Sequence, residues 1–165
     1  GTFNPGNYAI AYLDGALTVD PAVLTVTANN ASKTYGQTLT FAGTEFTSAG
    51  LQNGETIGSV TLASLGAAPT AGVAGSPYAI TASNATGGTF VAGNYAIAYV
   101  DGALTVNPAT LTVRANDATK TYGQTLAFAG TEFTAAGLQN GETIGSVTLA
   151  SAGAAPTASV AGSPY

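Results

Sequence analysis

Cysteine, histidine, tryptophan and methionine are all absent from this sequence, and only three of its residues are cationic. Without cysteine no disulfide holds the chain together, and it suits any redox compartment. Without histidine and cysteine it lacks the commonest general base and the most reactive nucleophile. The cations, Lys33, Arg114 and Lys120, face eight acidic residues, for a net charge of −5. Nucleic acids and anionic membrane surfaces are bound by clusters of lysine and arginine. Three isolated cations make no cluster, so neither nucleic-acid binding nor membrane insertion is expected. No apolar run approaches the roughly 20 residues that span a bilayer, and Gly1 opens no signal-peptide pattern. Apolar residues reach 45%, much of it alanine, while charged residues stand at 7%. Low charge and short side chains of this kind suit exported bacterial surface repeats.

What is present is repetition. "GNYAIAYLDGALTV" at residues 6–19 returns as "GNYAIAYVDGALTV" at 93–106. Residues 1–78 align on 88–165 without a gap, and 12 of the 78 pairs differ. The changes are mild, as in Asp20/Asn107, Ser32/Thr119, Ser48/Ala135 and Leu65/Ala152; only Thr27/Arg114 adds a charge where there was no polar counterpart of similar size. A period of 87 residues is too long for one solenoid coil, for which periods run at roughly 20–50 residues. It is long enough for a small domain with its own core.

The local pattern is strand throughout. Tyr8, Ile10 and Tyr12 alternate with Ala9, Ala11 and Leu13, the period of two of a pleated strand. Asp14-Gly15 and Asp101-Gly102, each between two alternating runs, predict hairpins with type I′ turns. Residues 24–28, 38–42, 59–63 and 78–82 are further strand candidates, separated by turn formers at Tyr35-Gly36 and Asn53-Gly54. No convincing helix is present; "LQNGETIGSV" has two glycines in ten positions. The expected fold is all-β: small sandwich domains of the immunoglobulin-like kind, six to eight strands each, in a linear array, with β-grasp domains as the alternative.

Pro21 and Pro108 mark the joints, in "LTVDPAVLTV" and "LTVNPATLTV". Proline donates no ladder bond and extends the residue before it, and so short a linker holds neighbours at a nearly fixed spacing. The complete domain is therefore placed at 21–107. Residues 1–20 are expected to be the closing hairpin of a preceding repeat, and 108–165 the opening part of a following one. That phase suggests a window onto a longer array.

Four motifs, "ANNASKTYGQ" (28–37), "GLQNGET" (50–56), "SPYAI" (76–80) and "GNYAIAYVDGALTV" (93–106), together resemble the MBG domain, the mostly-β, glycine-rich YGX type. The resemblance covers the central domain and both flanks. "GSPYAI" is shorter than the commoner spacing of that family, and the near-identity of the copies suggests recent duplication. The resemblance implies tandem arrays in very large filamentous-haemagglutinin-type bacterial surface proteins, and no known catalysis.

The carboxylates Asp14/Asp101, Glu45/Glu132 and Glu55/Glu142 recur in both copies and are the only groups fit for acid–base catalysis. A glycosidase needs two carboxyls about 5–10 Å apart across a groove. Glu45 and Glu55 could meet across a turn, but their expected place is at solvated turns and edges, so no catalytic residue is assigned. Calcium wants six to eight oxygens from closely spaced acids and amides. Asp20 with Asn30 at one joint, and Asn107 with Asp117 at the next, are the nearest approach, and no metal site is assigned. Tyr8, Tyr12, Tyr35 and Tyr78 could stack on sugars, yet strand and turn positions favour core rings with bonded hydroxyls. Asn30 and Asn84 each head a glycosylation triplet, which Asp117 breaks in the second copy. A lysine–asparagine cross-link through Lys33 or Lys120 would need burial beside a carboxyl. The expected function is thus a structural, non-enzymatic repeat segment of an extracellular fibre or adhesin stalk without cofactor. Its expected partners are neighbouring copies head-to-tail, with a carbohydrate- or host-surface-binding β module as the alternative. Loops that barely vary between copies favour the stalk.

Overall fold

The computed structural model describes residues 1–165, and its only helical elements are six isolated 3-10 turns of three residues each. Nine strands form: β1 (Ala22–Ala28), β2 (Ala31–Thr34), β3 (Phe46–Ala49), β4 (Ile57–Ala63), β5 (Tyr78–Gly88), β6 (Tyr95–Val100), β7 (Gly102–Asn107), β8 (Thr112–Ala115) and β9 (Phe133–Ala136). The first seven make two sheets, ordered β3-β1-β6 and β2-β7-β5-β4. The fold is all-β, as its alternating pattern implies. Leu24 and Val26 of β1 and Tyr95 of β6 meet Val60 of β4 and Ala85 of β5, so the two sheets close on one core. A second cluster joins Ala28, Ile80, Ala82 and Leu104. Leu24, Val26, Ile80, Leu104 and Val106 are fully or almost fully buried. Each such burial is worth about 1.5–3 kcal/mol.

The closing segment is not a hairpin. β6 runs parallel to β1, from Ala22↔Tyr95 to Thr27↔Val100, and β7 runs parallel to β2, from Ala31↔Leu104 to Thr34↔Asn107. Two of the passages from the first sheet to the second, after β1 and after β6, therefore lie side by side. Gly102 is required there for closeness, since a Cβ would sit 2.7 Å from the carbonyl oxygens of both Ala28 and Asn29. Neither Gly15 nor Gly102 has the positive φ that a type I′ turn demands. The Asp-Gly turn signal is local, and longer-range pairing with β1, β2 and β5 overrides it. Positive φ occurs instead at Asn53 (54°) and Gly54 (70°), where the Glu55 amide closes the turn on the Gln52 carbonyl at 2.9 Å.

Residues 38–42 also depart from expectation. Leu39 and Phe41 pack against the second cluster without joining a ladder; the Leu39 amide bonds the Ala67 carbonyl instead. β2 and β3, short and weakly patterned, are strands because β7 and β1 lie beside them. In β5 the buried positions change parity from Ile80 and Ala82 to Ala85. A bulge opposite Ser59–Thr61, with Asn84 at φ 50°, makes the change.

The two incomplete copies separate sequence from pairing. β8 and β9 repeat the register of β1 and β3, Thr112↔Ala136 to Ala115↔Phe133 against Thr25↔Ala49 to Ala28↔Phe46. Residues 144–150 have the sequence of β4, and 118–121 differ from β2 only at Thr119, yet neither is a strand. β2 pairs only with β7, and β4 only with β5. Residues 8–13 and 15–20, near-copies of β6 and β7, likewise form no strand and lie exposed. The hairpin expected within 1–20 is absent.

Candidate interface between repeats

Each recurring glutamate has a structural employment. The Glu45 carboxylate accepts the backbone N–H groups of Ala42, Gly43 and Thr44 at 2.9, 2.9 and 3.0 Å, and Glu132 repeats the arrangement with Ala129, Gly130 and Thr131. The Ala42 amide is the largest cause holding the Glu45 carboxyl below its ordinary pKa, as the Ala129 amide does for Glu132. Glu55 accepts the Tyr95 hydroxyl at 2.5 Å, and the same hydroxyl takes the Gln52 amide at 3.0 Å. That bond to Glu55 raises the Tyr95 phenol. Glu45 and Glu55 thus serve separate local networks. Asp101 lies exposed at the sheet crossing, and Asp14 is exposed outside any strand.

The joint residues considered for calcium divide similarly. The Asn30 side-chain oxygen accepts the Ala103 amide at 2.8 Å, bracing the double crossing. Asp117, its counterpart, lies 3.7 Å from Arg114 in an exposed pair that contributes little. No three acidic side chains gather where they could hold a metal ion. Asn84, heading the other triplet, lies exposed in the bulge of β5.

The four tyrosines of residues 21–107 all engage their hydroxyls. Tyr78 donates to the Gly72 carbonyl at 2.9 Å and lays its ring over Gly66, where a Cβ would come within 2.7 Å of it. Tyr99 accepts the Ala85 amide at 2.9 Å, Tyr95 holds Glu55, and Tyr35 donates across the joint to Glu142 at 2.5 Å. Tyr8 and Tyr12, by contrast, are 65% and 87% exposed. Lys33 is buried, and its ammonium donates to the carbonyls of Gln37 (2.8 Å) and Ala68. Those partners are backbone carbonyls, not the carboxyl that a cross-link would need beside the lysine. Lys120 makes the same pair of bonds with Gln124 and Ala155.

A concavity lies in the second copy. A groove of about 560 Å³ is lined by Ala115, Leu126, Phe128, Leu149 and Tyr165, with Asp117, Lys120 and Ser163 at its margin. Their counterparts in the complete unit, one period earlier, surround β7. There Leu104 fills the apolar space beside Ala28, Leu39, Phe41, Leu62 and Tyr78. Ser76 accepts the Val106 amide at 2.9 Å, and the Tyr35 amide bonds the Asn107 carbonyl. The polar roles of Asn30 and Ser76 escape sequence reading, because the amides they satisfy lie 73 and 30 residues away.

A family model described as MBG domain (YGX type) matches residues 24–105, which run from β1 into β7. That segment is an MBG domain, a β-rich repeat module of the kind found in bacterial surface proteins. No curated protein and no solved structure matches the chain. No helix is long and apolar enough to cross a membrane.

Proposed function

We propose that this chain is a structural segment of an extracellular bacterial fibre or adhesin stalk, built by repeats that complete and abut one another head-to-tail. The observation that carries this reading is the groove in 108–165. Ala115, Leu126, Phe128, Leu149 and Tyr165 of its lining are the counterparts of Ala28, Leu39, Phe41, Leu62 and Tyr78, which pack with Leu104 of β7 in 21–107. The occupant it fits is a closing segment with the sequence Gly-Ala-Leu-Thr-Val. Residues 15–19 carry that sequence with Leu17 and Val19 at 90% and 85% exposure. Burying these two side chains would contribute about 3–6 kcal/mol, and the strand would satisfy the open edge of 118–121. Such a contact is heterologous, so it propagates a fibre and closes no dimer.

A glycan-binding module has less support. The tyrosine hydroxyls of the complete unit are already bonded, and the loops scarcely differ between copies. The test is addition of a synthetic peptide of residues 79–107 to the 165-residue chain. Saturable binding with a raised Tm and increased β circular dichroism supports the proposal, as 118–121 and 144–150 gain partners. A chain indifferent to saturating peptide sinks it, and a glycan-array signal lost on replacing tyrosines would move the function to the alternative.

A further inference from the structure

Between the complete unit and the copy that follows it, one turn meets another. The "QNGE" turn, residues 139–142, approaches the Tyr35-Gly36 turn and Pro69. The Tyr35 hydroxyl donates to Glu142 Oε1 at 2.5 Å, and Asn140 Nδ2 donates to the Pro69 carbonyl at 3.2 Å. Gln139 covers Gly36, so that a Cβ on Gly36 would lie 2.6 Å from Gln139 Cγ. The Pro69 carbonyl also receives the Gly36 amide at 3.1 Å, which ties the two halves of the socket together.

The repeat supplies its own control for this contact. Tyr35 and Pro69, which face a following copy, are half-buried, whereas Tyr122 and Pro156, which face none, are exposed. Gln139, which follows a copy, is half-buried, and its counterpart Gln52 is exposed. The sequences are the same; the neighbour makes the difference. The socket is also anchored to the chain exit. Thr34 pairs with Asn107 at the end of β7, and the Tyr35 amide holds the Asn107 carbonyl at 2.9 Å, directly before Pro108. The connection and the socket therefore form two separated points of attachment, and two points remove the swivel that a single linker permits.

The glutamate of this turn has two oxygens and two uses. Within a repeat, Glu55 accepts Tyr95 on Oε2; across the joint, Glu142 accepts Tyr35 on Oε1. We infer that the Gln-Asn-Gly-Glu turn of each repeat docks in the Tyr-Gly turn and Pro69 socket of the repeat before it, its glutamate joining a tyrosine of each repeat, one per carboxylate oxygen. The joint then sets the orientation of successive domains. Recurrence along an array rests on the function proposed above, but the contact itself is internal to this chain. The bond to Glu142, which raises the Tyr35 phenol, agrees with this arrangement.

The cysteine-free sequence allows a clean test. Nitroxide labels on Ser48→Cys and Ala135→Cys, both exposed positions on equivalent strands, report the orientation of the two copies by pulsed electron resonance in dilute solution. The labelled parent is expected to give one narrow distance distribution. Combining Asn140→Gly with Glu142→Gln should abolish that narrow peak while unfolding of 21–107 stays unchanged. Glycine accepts the φ of 52° at position 140, so the turn survives. Tyr35→Phe should broaden the distribution as well, and Tyr122→Phe should leave it narrow. A parent distribution already broad, or variants as narrow as the parent, overturns the inference. Because no fibre is needed, failure here with intact peptide binding removes only the joint, and failure of peptide binding with a narrow distribution removes only head-to-tail completion.

Discussion

Leu17 and Leu104 are the same residue of the repeat in opposite surroundings, so truncating each isolates the energy of the closing strand. Leu104 is 0% exposed, between Ala28, Ile80 and Ala82, and Leu17 is 90% exposed. Leu104→Ala removes buried methyl groups and leaves a cavity between rigid sheet neighbours, a change that costs about 2–5 kcal/mol. A domain of this size has a total stability of about 5–10 kcal/mol. A loss of about 3 kcal/mol lowers Tm by roughly 12–24 °C. Leu17→Ala in a dilute sample alters a solvated side chain and should stay within about 0.5 kcal/mol of the parent. Thermal and urea unfolding followed by circular dichroism at low micromolar concentration measure both. Equal losses for the two variants, or a Leu104→Ala loss below about 1 kcal/mol, would refute the assignment of β7 as the core-closing strand. If residues 15–19 fill the groove of another copy, the Leu17→Ala penalty should emerge as concentration rises.

Gly102→Ala should destabilise the complete unit strongly, because its methyl would meet the Ala28 and Asn29 carbonyls at 2.7 Å, while Gly15→Ala, with open space around it, should be neutral; equal melting temperatures for both would contradict the double sheet crossing. Glu45 and Glu132 have folded pKa values lowered by backbone amides, so their stabilisation is complete above the ordinary value of 4.5 and is lost as pH falls through the folded pKa. Glu45→Gln should therefore melt below the parent at pH 7 and approach it below pH 4.5, and a gap that widens in acid would show the amide nest to be unimportant.

How much of this was legible in the sequence varies with the range of the interaction. Alternation in 24–28 and 78–82 places Leu24, Val26, Ile80 and Ala82 inside, because strand periodicity is a property of adjacent residues. The positive φ at Gly36 (90°) follows from its turn sequence for the same reason. The Asp101-Gly102 crossing does not, since its outcome depends on carbonyls some 70 residues earlier in the chain. Residues 38–42 alternate well and still lack a partner. The socket is invisible for a further reason. "KTYG" and "LQNGET" each read as ordinary turns, and only their juxtaposition across Pro108 gives Tyr35 and Glu142 a shared purpose.

Pairing the first strand with the sixth, and the second with the seventh, makes the complete unit close on its own ends. β1 and β2 present edges that remain open until β6 and β7 arrive, more than 70 residues later in the chain. During that interval any neighbouring closing segment competes, and here the competitors at 8–20 and 95–107 differ at only two positions. Composition cannot discriminate between them, because the groove sees the same Leu and Val from either. Connectivity can, since parallel pairing needs a crossover of roughly a dozen residues or more, and residues 8–13 stand only eight residues before β1. The socket around Tyr35 adds a second criterion, because only a copy in register through Pro108 brings Glu142 within reach. An array of near-identical domains therefore needs its order encoded in linkers and turns, which is where this sequence places its prolines, its Asn-Gly pairs and its shared glutamate.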